Sequence, residues 1–484
     1  MFVGTGSDVG KSIINAAYCR ILKQDGYTPA PFKAQNMSLN SYATPDGLEI
    51  GRAQAVQAEA CQIPCCVEMN PILLKPTNYK TSQVVLNGKP IGNQSAKEYF
   101  LGTDRDNLFE EVLKSFNRLA NKYNPIVLEG AGSISELNLR DKDIVNMRMA
   151  IAANASTFLI ADIDRGGVFG SIYGSIELLN PEERKQVKGI IINKFRGDID
   201  LFTTGRKMLE ELTGIPVIAV IPYFHDIKIE QEDSVVVDNY HGNAIKGKLN
   251  IAVVLLHHMS NFTDFNALEQ VDCIHLFYTT NANEIEAADV VIIPGSKNTI
   301  SDLIQLRKSG LAKAILNANK NGKAIYGICG GYQIMGQSIN DPKHIEGEIE
   351  TVPGLGLLPI ETTILNHKTT EQCSFQFLNM TDICNGYEIH MGETIVKSGE
   401  TLCKIDDNKT DGCFVNPKTW GTYIHGILDN TPVINYILKN NGVEKEIKPF
   451  DYKAFKEEQF DKLADLVRKN TDMEMFYKIV KDNG

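Results

Sequence analysis

The chain has no apolar run approaching the ~20 residues that a membrane-crossing helix requires, so no spanning helix is expected. Basic excess is missing as well. Its 49 Lys and Arg stand against 60 Asp and Glu, a formal charge of −11, and no cationic stripe is there to neutralise phosphates. A nucleic-acid partner is therefore not expected. No charged-then-apolar leader opens the sequence, which turns glycine-rich at once in Met1-Phe2-Val3-Gly4-Thr5-Gly6. A cytoplasmic, reducing location is the expectation, with the ten cysteines as free thiols. Cys61, Cys65 and Cys66 cluster without a second pair at zinc-finger spacing, so they read as helix-packing residues. Internal repeats and low-complexity tracts are lacking too. What remains is a globular composition, 43% hydrophobic and 23% charged, in a chain of 484 residues. That is too long for one core, and two domains plus a tail are expected.

The order of apolar runs supports an α/β class. Ile126-Val127-Leu128-Glu129, Thr157 to Asp162, Gly189 to Asn193 and Pro216 to Ile221 are short, continuous apolar stretches, as expected of parallel strands covered on both faces. Helix-compatible segments such as Asn107 to Tyr123 lie between them. A polar stretch from about 226 to 248 breaks this rhythm, and residues 231–248 read as a linker between a first domain, 1–230, and a second, 249–435. Asn250 to Leu256, Val290 to Gly295 and Ala324 to Gly327 restart the strand pattern. The charged, helically spaced residues 436–484 read as a tail packed on one of the domains.

Two motifs carry chemistry. Gly4-Thr5-Gly6-Ser7-Asp8-Val9-Gly10-Lys11-Ser12 is a P-loop-like run followed by a helix. Its backbone N–H groups can cradle a triphosphate, Lys11 supplies charge to the outer phosphates, and the Ser12 hydroxyl suits Mg²⁺. Five residues rather than four separate Gly4 from Gly10, which resembles dethiobiotin synthetase more than the common nucleoside triphosphatases. Glu129, and Asp162 with Asp164, stand at strand ends where ligands of open α/β sheets bind, while Asp46 lies in the ordinary turn sequence Pro45-Asp46-Gly47. The second motif is Gly327-Ile328-Cys329-Gly330-Gly331 at the end of an apolar strand, the pattern of a nucleophile elbow. A thiol raised there attacks a carboxamide when a base is near, and His425 in Trp420-Gly421-Thr422-Tyr423-Ile424-His425-Gly426 is the candidate. Two positions after His425 stands Ile427, not an acid; Asp429 and Glu388 remain open as the group that orients the imidazole.

Further strings resemble the cobyric acid synthase family along essentially the whole chain. They are Phe32-Lys33-Ala34-Gln35-Asn36-Met37-Ser38-Leu39-Asn40, Met69 to Pro76, Glu129 to Ser133, Asp162 to Phe169, Ser260-Asn261-Phe262-Thr263-Asp264-Phe265 and Gly386 to Gly392. The resemblance implies a dethiobiotin-synthetase-like P-loop domain followed by a class I glutamine-amidotransferase-like domain. It implies an ATP-dependent, glutamine-hydrolysing amidation of the b, d, e and g carboxylates of adenosylcobyrinic acid a,c-diamide. ATP and Mg²⁺ are then required, and glutamine and the corrinoid are substrates. By the same resemblance Cys329 and His425 are catalytic, and Ser12, Asp46 and Glu129 are Mg²⁺ ligands. Gly295, Ser296 and Gly330 then serve the oxyanion and glutamine site, and Lys33, Lys75 and Arg165 meet corrinoid carboxylates. Two other readings stay open: the sibling activity on the a and c carboxylates, and a nucleotide-switch ATPase with an inert second domain.

Overall fold

The structure, a computed structural model, describes residues 1–77, 81–95, 97–99, 105–230, 244–405, 409–444, 447 and 451–482. Most of the expected linker, 231–243, lies outside the described residues. The first unit is built on parallel strands β1 (Phe2–Gly4), β2 (Ala30–Phe32), β3 (Ile126–Leu128), β4 (Thr157–Asp162), β5 (Val187–Phe195) and β6 (Val217–Pro222). β1, β4, β5 and β6 lie side by side in that order, β2 pairs with β3, and a bridge from Phe2 to Glu129 joins the two sets. The spatial order is thus β2-β3-β1-β4-β5-β6. β1 sits centrally, and the loop leaving it opens at the carboxyl edge of the sheet, where such folds bind ligands. β4 is buried at every residue, which explains its unbroken apolar run. Each aliphatic side chain so buried stabilises the fold by ~1.5–3 kcal/mol.

The second unit has a sheet of β7 (Leu249–Val254), β8 (Ile274–Thr279), β9 (Val290–Ile293), β10 (Ala324–Ile328), β13 (Cys413–Asn416) and β14 (Thr419–Thr422). Its order is β8-β7-β9-β10-β14-β13, parallel except for β13 at the edge. A long antiparallel pair, β11 (Ile360–Phe377) with β12 (Ile383–Val396), belongs to a separate sheet of this unit and reaches the first unit. There β12 meets the hairpin of Ser41–Ala43 and Glu49–Gly51. Tyr42 packs edge-on to Tyr387 at 4.7 Å, and Gln372 donates to the Ala43 carbonyl at 2.9 Å.

The C-terminal segment does not simply trail from the second unit. The helix Thr431–Asn440 packs in the second core through Ile434, Ile437 and Leu438. The chain then returns to the first unit. Phe460, Leu463, Ala464 and Val467 of the helix Tyr452–Lys469, and Phe476 of the helix Met473–Asp482, share a core with Phe2, Ile14 and Tyr18. Thr471 also bridges Ala219 at the sheet edge. Cys19, Cys61 and Cys65 are buried packing thiols, and no cluster of three metal-ligating side chains occurs among the described residues. No helix among them is long and apolar enough to cross a membrane.

Candidate active site

The sulfur of Cys329 stands where β10 turns into the short helix Gly330–Ile334. Its backbone adopts φ 51°, ψ −108°, a strained conformation for a side-chain-bearing residue. The glycines around it answer to packing. A Cβ on Gly331 would stand 1.9 Å from the Ile293 carbonyl oxygen, and one on Gly330 would stand 2.6 Å from the Ser296 nitrogen. The turn therefore presses the helix start against the segment Gly295–Ser296, which pairs antiparallel with Met259–Ser260. The first N–H groups of a helix lack internal partners, so Gly330 and the Ser296 segment together supply donors beside the thiol. Gly295, Ser296 and Gly330 are brought together as the sequence suggests.

His425 belongs to the same site and is 1% exposed. Its ring stacks on Tyr387, with centroids 5.3 Å apart. Its Nδ1 lies 2.7 Å from Oδ2 of Asp264, whose Oδ1 accepts from the Gly426 N–H at 3.1 Å. Asp264 is the orienting acid, and neither open alternative takes that place. Glu388 pairs with Lys409, and burial with nearby Asp411 pushes its carboxyl up to about 8. Asp429 is raised well above the carboxylate range by burial, and its Oδ1 has no hydrogen-bond partner among the described residues. Burial works against an imidazolium at His425, but Asp264 first, then Cys329, outweighs it and holds this group up at about 10. His390, the other histidine at the cavity, is pushed down to about 4 by burial and stacks on Tyr423 at 3.7 Å. Of these two cavity histidines, His425 is the one held by a carboxylate.

In the pair His257-His258, the second member has a structural part. His258 Nδ1 lies 2.8 Å from Asp302 Oδ1, while Ser296 donates to Asp302 Oδ2 at 2.6 Å and the Lys297 N–H donates to the His258 carbonyl at 2.9 Å. His258 and Asp302 thus fix the Gly295–Lys297 loop in place.

At the other end of the molecule, Lys11 curls back so that its ammonium donates to the carbonyls of Gly6, Ser7 and Gly132 at 2.7–2.9 Å. Gly10 begins the helix Lys11–Gln24 at φ 95°, and no side chain caps it, so its first N–H groups point into the loop. A Cβ on Gly10 would stand 2.3 Å from Asn193 Nδ2, which donates to the Val9 carbonyl, so only glycine fits there. Ser12 donates to Glu129 Oε1 at 2.8 Å; Lys33 donates to the same oxygen at 2.8 Å, and Gln57 to Oε2 at 2.5 Å. Burial favours the neutral acid, yet Lys33 and the Gln57 and Ser12 hydrogen bonds hold Glu129 below the usual carboxylate range.

Other expected residues fall elsewhere. Asp46 is exposed in the hairpin turn, where the Gly47 N–H bonds the Thr44 carbonyl, and no contact among the described residues ties it to Ser12 or Glu129. Lys33 and Lys75 are buried and ion-paired, to Glu129 and Glu49. Arg165 is open to solvent beside Asp8 and Asp162, and Asp164 pairs with Arg196. The two ends of the molecule are tied through the hairpin. Glu49 binds both Lys75 and Lys368, the latter on β11. Ser41 N–H donates to Asn261 Oδ1 at 3.0 Å, and Phe262 N–H to Asn40 Oδ1 at 3.2 Å. The turn that presents Asp264 is therefore held by the first unit.

A Cys–His–Asp site beside backbone donors, joined to a P-loop unit, defines a glutamine amidotransferase of the two-domain, nucleotide-coupled class. Comparisons with known proteins agree. Residues 1–236 match the CobQ/CobB/MinD/ParA nucleotide binding domain and residues 250–433 the CobB/CobQ-like glutamine amidotransferase domain. The cobyric acid synthase of Parabacteroides distasonis is 60% identical, covering 100% of this chain and 98% of that one. The same-named proteins of Bacteroides fragilis and Caldanaerobacter subterraneus subsp. tengcongensis are 59% and 46% identical, each again covered over 98% of its length. The chain belongs to the cobyric acid synthase family.

Proposed function

We propose that the chain uses ATP and glutamine to amidate the b, d, e and g carboxylates of adenosylcobyrinic acid a,c-diamide, giving adenosylcobyric acid in cobalamin biosynthesis. The observation that carries this reading is the Cys329–His425–Asp264 array in one chain with a P-loop, in a family whose full-length members bear that name. Cys329 Sγ attacks the glutamine carboxamide carbon. In the imidazolium that Asp264 and Cys329 favour, His425 already holds the thiol proton and passes it to the departing ammonia, while Asp264 accepts from Nδ1–H so that Nε2 faces the sulfur. The N–H groups beside Gly330 and Ser296 hold the developing oxyanion. Water then hydrolyses the glutamyl thioester and releases glutamate.

The first unit makes the acceptor reactive. A carboxylate is a poor acyl donor, so transfer of the terminal phosphoryl group of ATP gives an acyl phosphate that ammonia attacks, releasing phosphate. Lys11 and the uncapped helix start suit the phosphates. Ser12 Oγ and an ionised Glu129 form a hard-oxygen pair whose chemistry fits Mg²⁺, and these two residues would hold it. Bound there, Mg²⁺ supplies charge neutralisation at the phosphates. Arg165, exposed near Asp8 of the loop, is the expected corrinoid-carboxylate contact. The test is mass spectrometry of the corrinoid after incubation with ATP, Mg²⁺ and glutamine. Amides gained at b, d, e and g are expected; an unchanged corrinoid, or amidation of a and c in cobyrinic acid instead, would overturn the reading.

A further inference from the structure

A cavity opens beside Cys329 between the two units, and three lysines line it: Lys75, Lys297 and Lys368. Two of them share one counter-ion, because Glu49 pairs with both Lys75 and Lys368. The Lys297 ammonium has no hydrogen bond or ion pair among the described residues. Lys297 follows Ser296 in the loop beside the oxyanion donors, and its main chain is pinned to His258 at 2.9 Å, which fixes where its side chain leaves the backbone. Burial, with Lys75 nearby, lowers its pKa to about 8, as expected of a cation enclosed without a counter-ion.

On the same cavity lies Glu346. One carboxyl oxygen accepts from the Ile300 N–H at 3.0 Å, and burial pushes the group up to about 7. Lys297 and Glu346 feel each other's charge yet do not close into an ion pair. One cavity thus carries a thiol beside backbone donors together with an ammonium and a carboxyl that do not pair, a set that complements an amide bearing an amino-acid head. Such a molecule has a carboxamide at one end and an α-amino-acid head at the other.

Resting on the glutaminase reading of this site, we propose that Lys297 binds the α-carboxylate of the glutamine whose carboxamide meets Cys329, and that Glu346 accepts from its α-ammonium. These two residues then set the specificity for an amino acid over a simple amide. They are binding residues and take no part in bond making at the sulfur.

The assay compares three amides as nitrogen donors: glutamine, 4-aminobutanamide, which lacks the α-carboxylate, and 4-carbamoylbutanoate, which lacks the α-amino group. Lys297→Met should lower kcat/KM for glutamine roughly tenfold to a hundredfold, mainly through KM, as for a lost charge-assisted hydrogen bond. It should barely change the poor use of 4-aminobutanamide, so discrimination between these two amides collapses. Glu346→Gln should erase the preference over 4-carbamoylbutanoate in the same way. Lys297→Arg, which keeps the charge, should retain part of the preference, and ammonia-supported ligation should be untouched in all variants, which also reports that each has folded. Equal losses on glutamine and 4-aminobutanamide, or full discrimination kept by Lys297→Met, would overturn the assignment. No glutamine hydrolysis by the unaltered chain would instead remove the glutaminase reading, and this assignment with it.

Discussion

Asp264→Asn is the most informative single change in the glutaminase site. It keeps the volume and the hydrogen-bonding reach of a side chain that is 4% exposed, and removes only its charge. In the native chain Asp264 and Cys329 lift the His425 imidazolium from the ordinary 6.5 to about 10 against burial. At 1.36 kcal/mol for each tenfold change, that rise corresponds to roughly 5 kcal/mol shared between the two partners. Asp264, the larger contributor, accounts for more than half of it. Losing about 3 kcal/mol of this at the transition state predicts a fall in glutaminase kcat of about 10²-fold, and more if the asparagine amide selects the wrong tautomer. The sign with pH follows. A raised imidazolium is fully held below about 6.5 and lost as pH rises through about 10, so the native alkaline limb lies near that upper value. In Asp264→Asn the limb should move toward neutrality. The assay is glutamate release against pH, with ammonia-supported ligation as the control. Glutaminase within threefold of native, with an unmoved alkaline limb, would refute the role given to Asp264.

Other outcomes follow from buried charge. Glu129→Gln strands the Lys33 ammonium in a buried site and should cost about 3–5 kcal/mol in denaturant unfolding while abolishing ATP-dependent ligation. Asn261→Ala removes the acceptor of the Ser41 N–H and puts a poorly suited residue at φ 53°, so glutaminase should fall about tenfold; Asn261→Asp, which keeps the acceptor, should stay near native. Glu49 is buried, but Lys368 and Lys75 hold its carboxyl far below the usual range, so its contribution to the interface is present above about 4.5 and lost as pH falls. Urea unfolding of Glu49→Gln should accordingly show lower stability at pH 7 and a shallower loss on acidification than the native chain.

Much of this was readable in the chain because the signals are local. The elbow glycines flank Cys329 directly, and the P-loop is one continuous run, so backbone geometry and motif coincide. The apolar runs of β4 and β7 announced buried parallel strands. Asp264 was hidden because it reaches His425 from 161 residues upstream, through a tight turn that no periodicity marks. Ile427, where an acid was sought, says only that the acid comes from elsewhere. Lys33 and Lys75 looked like free cations on loops; their buried partners Glu129 and Glu49 lie far along the chain or across a hairpin. Asp46 had an attractive sequence position, but Pro45 and Gly47 make it the tip of a turn. The helical residues after 450 read as a tail, and only packing shows that Phe460 and Phe476 complete the core under the P-loop helix.

The most direct measurement of the central claim is ligation by Cys329→Ala with glutamine and, separately, with ammonia. The account predicts no amide formation and no glutamate release from glutamine, with corrinoid amidation from ammonia and ATP close to that of the native chain. Amidation from glutamine that survives the loss of this sulfur would contradict it.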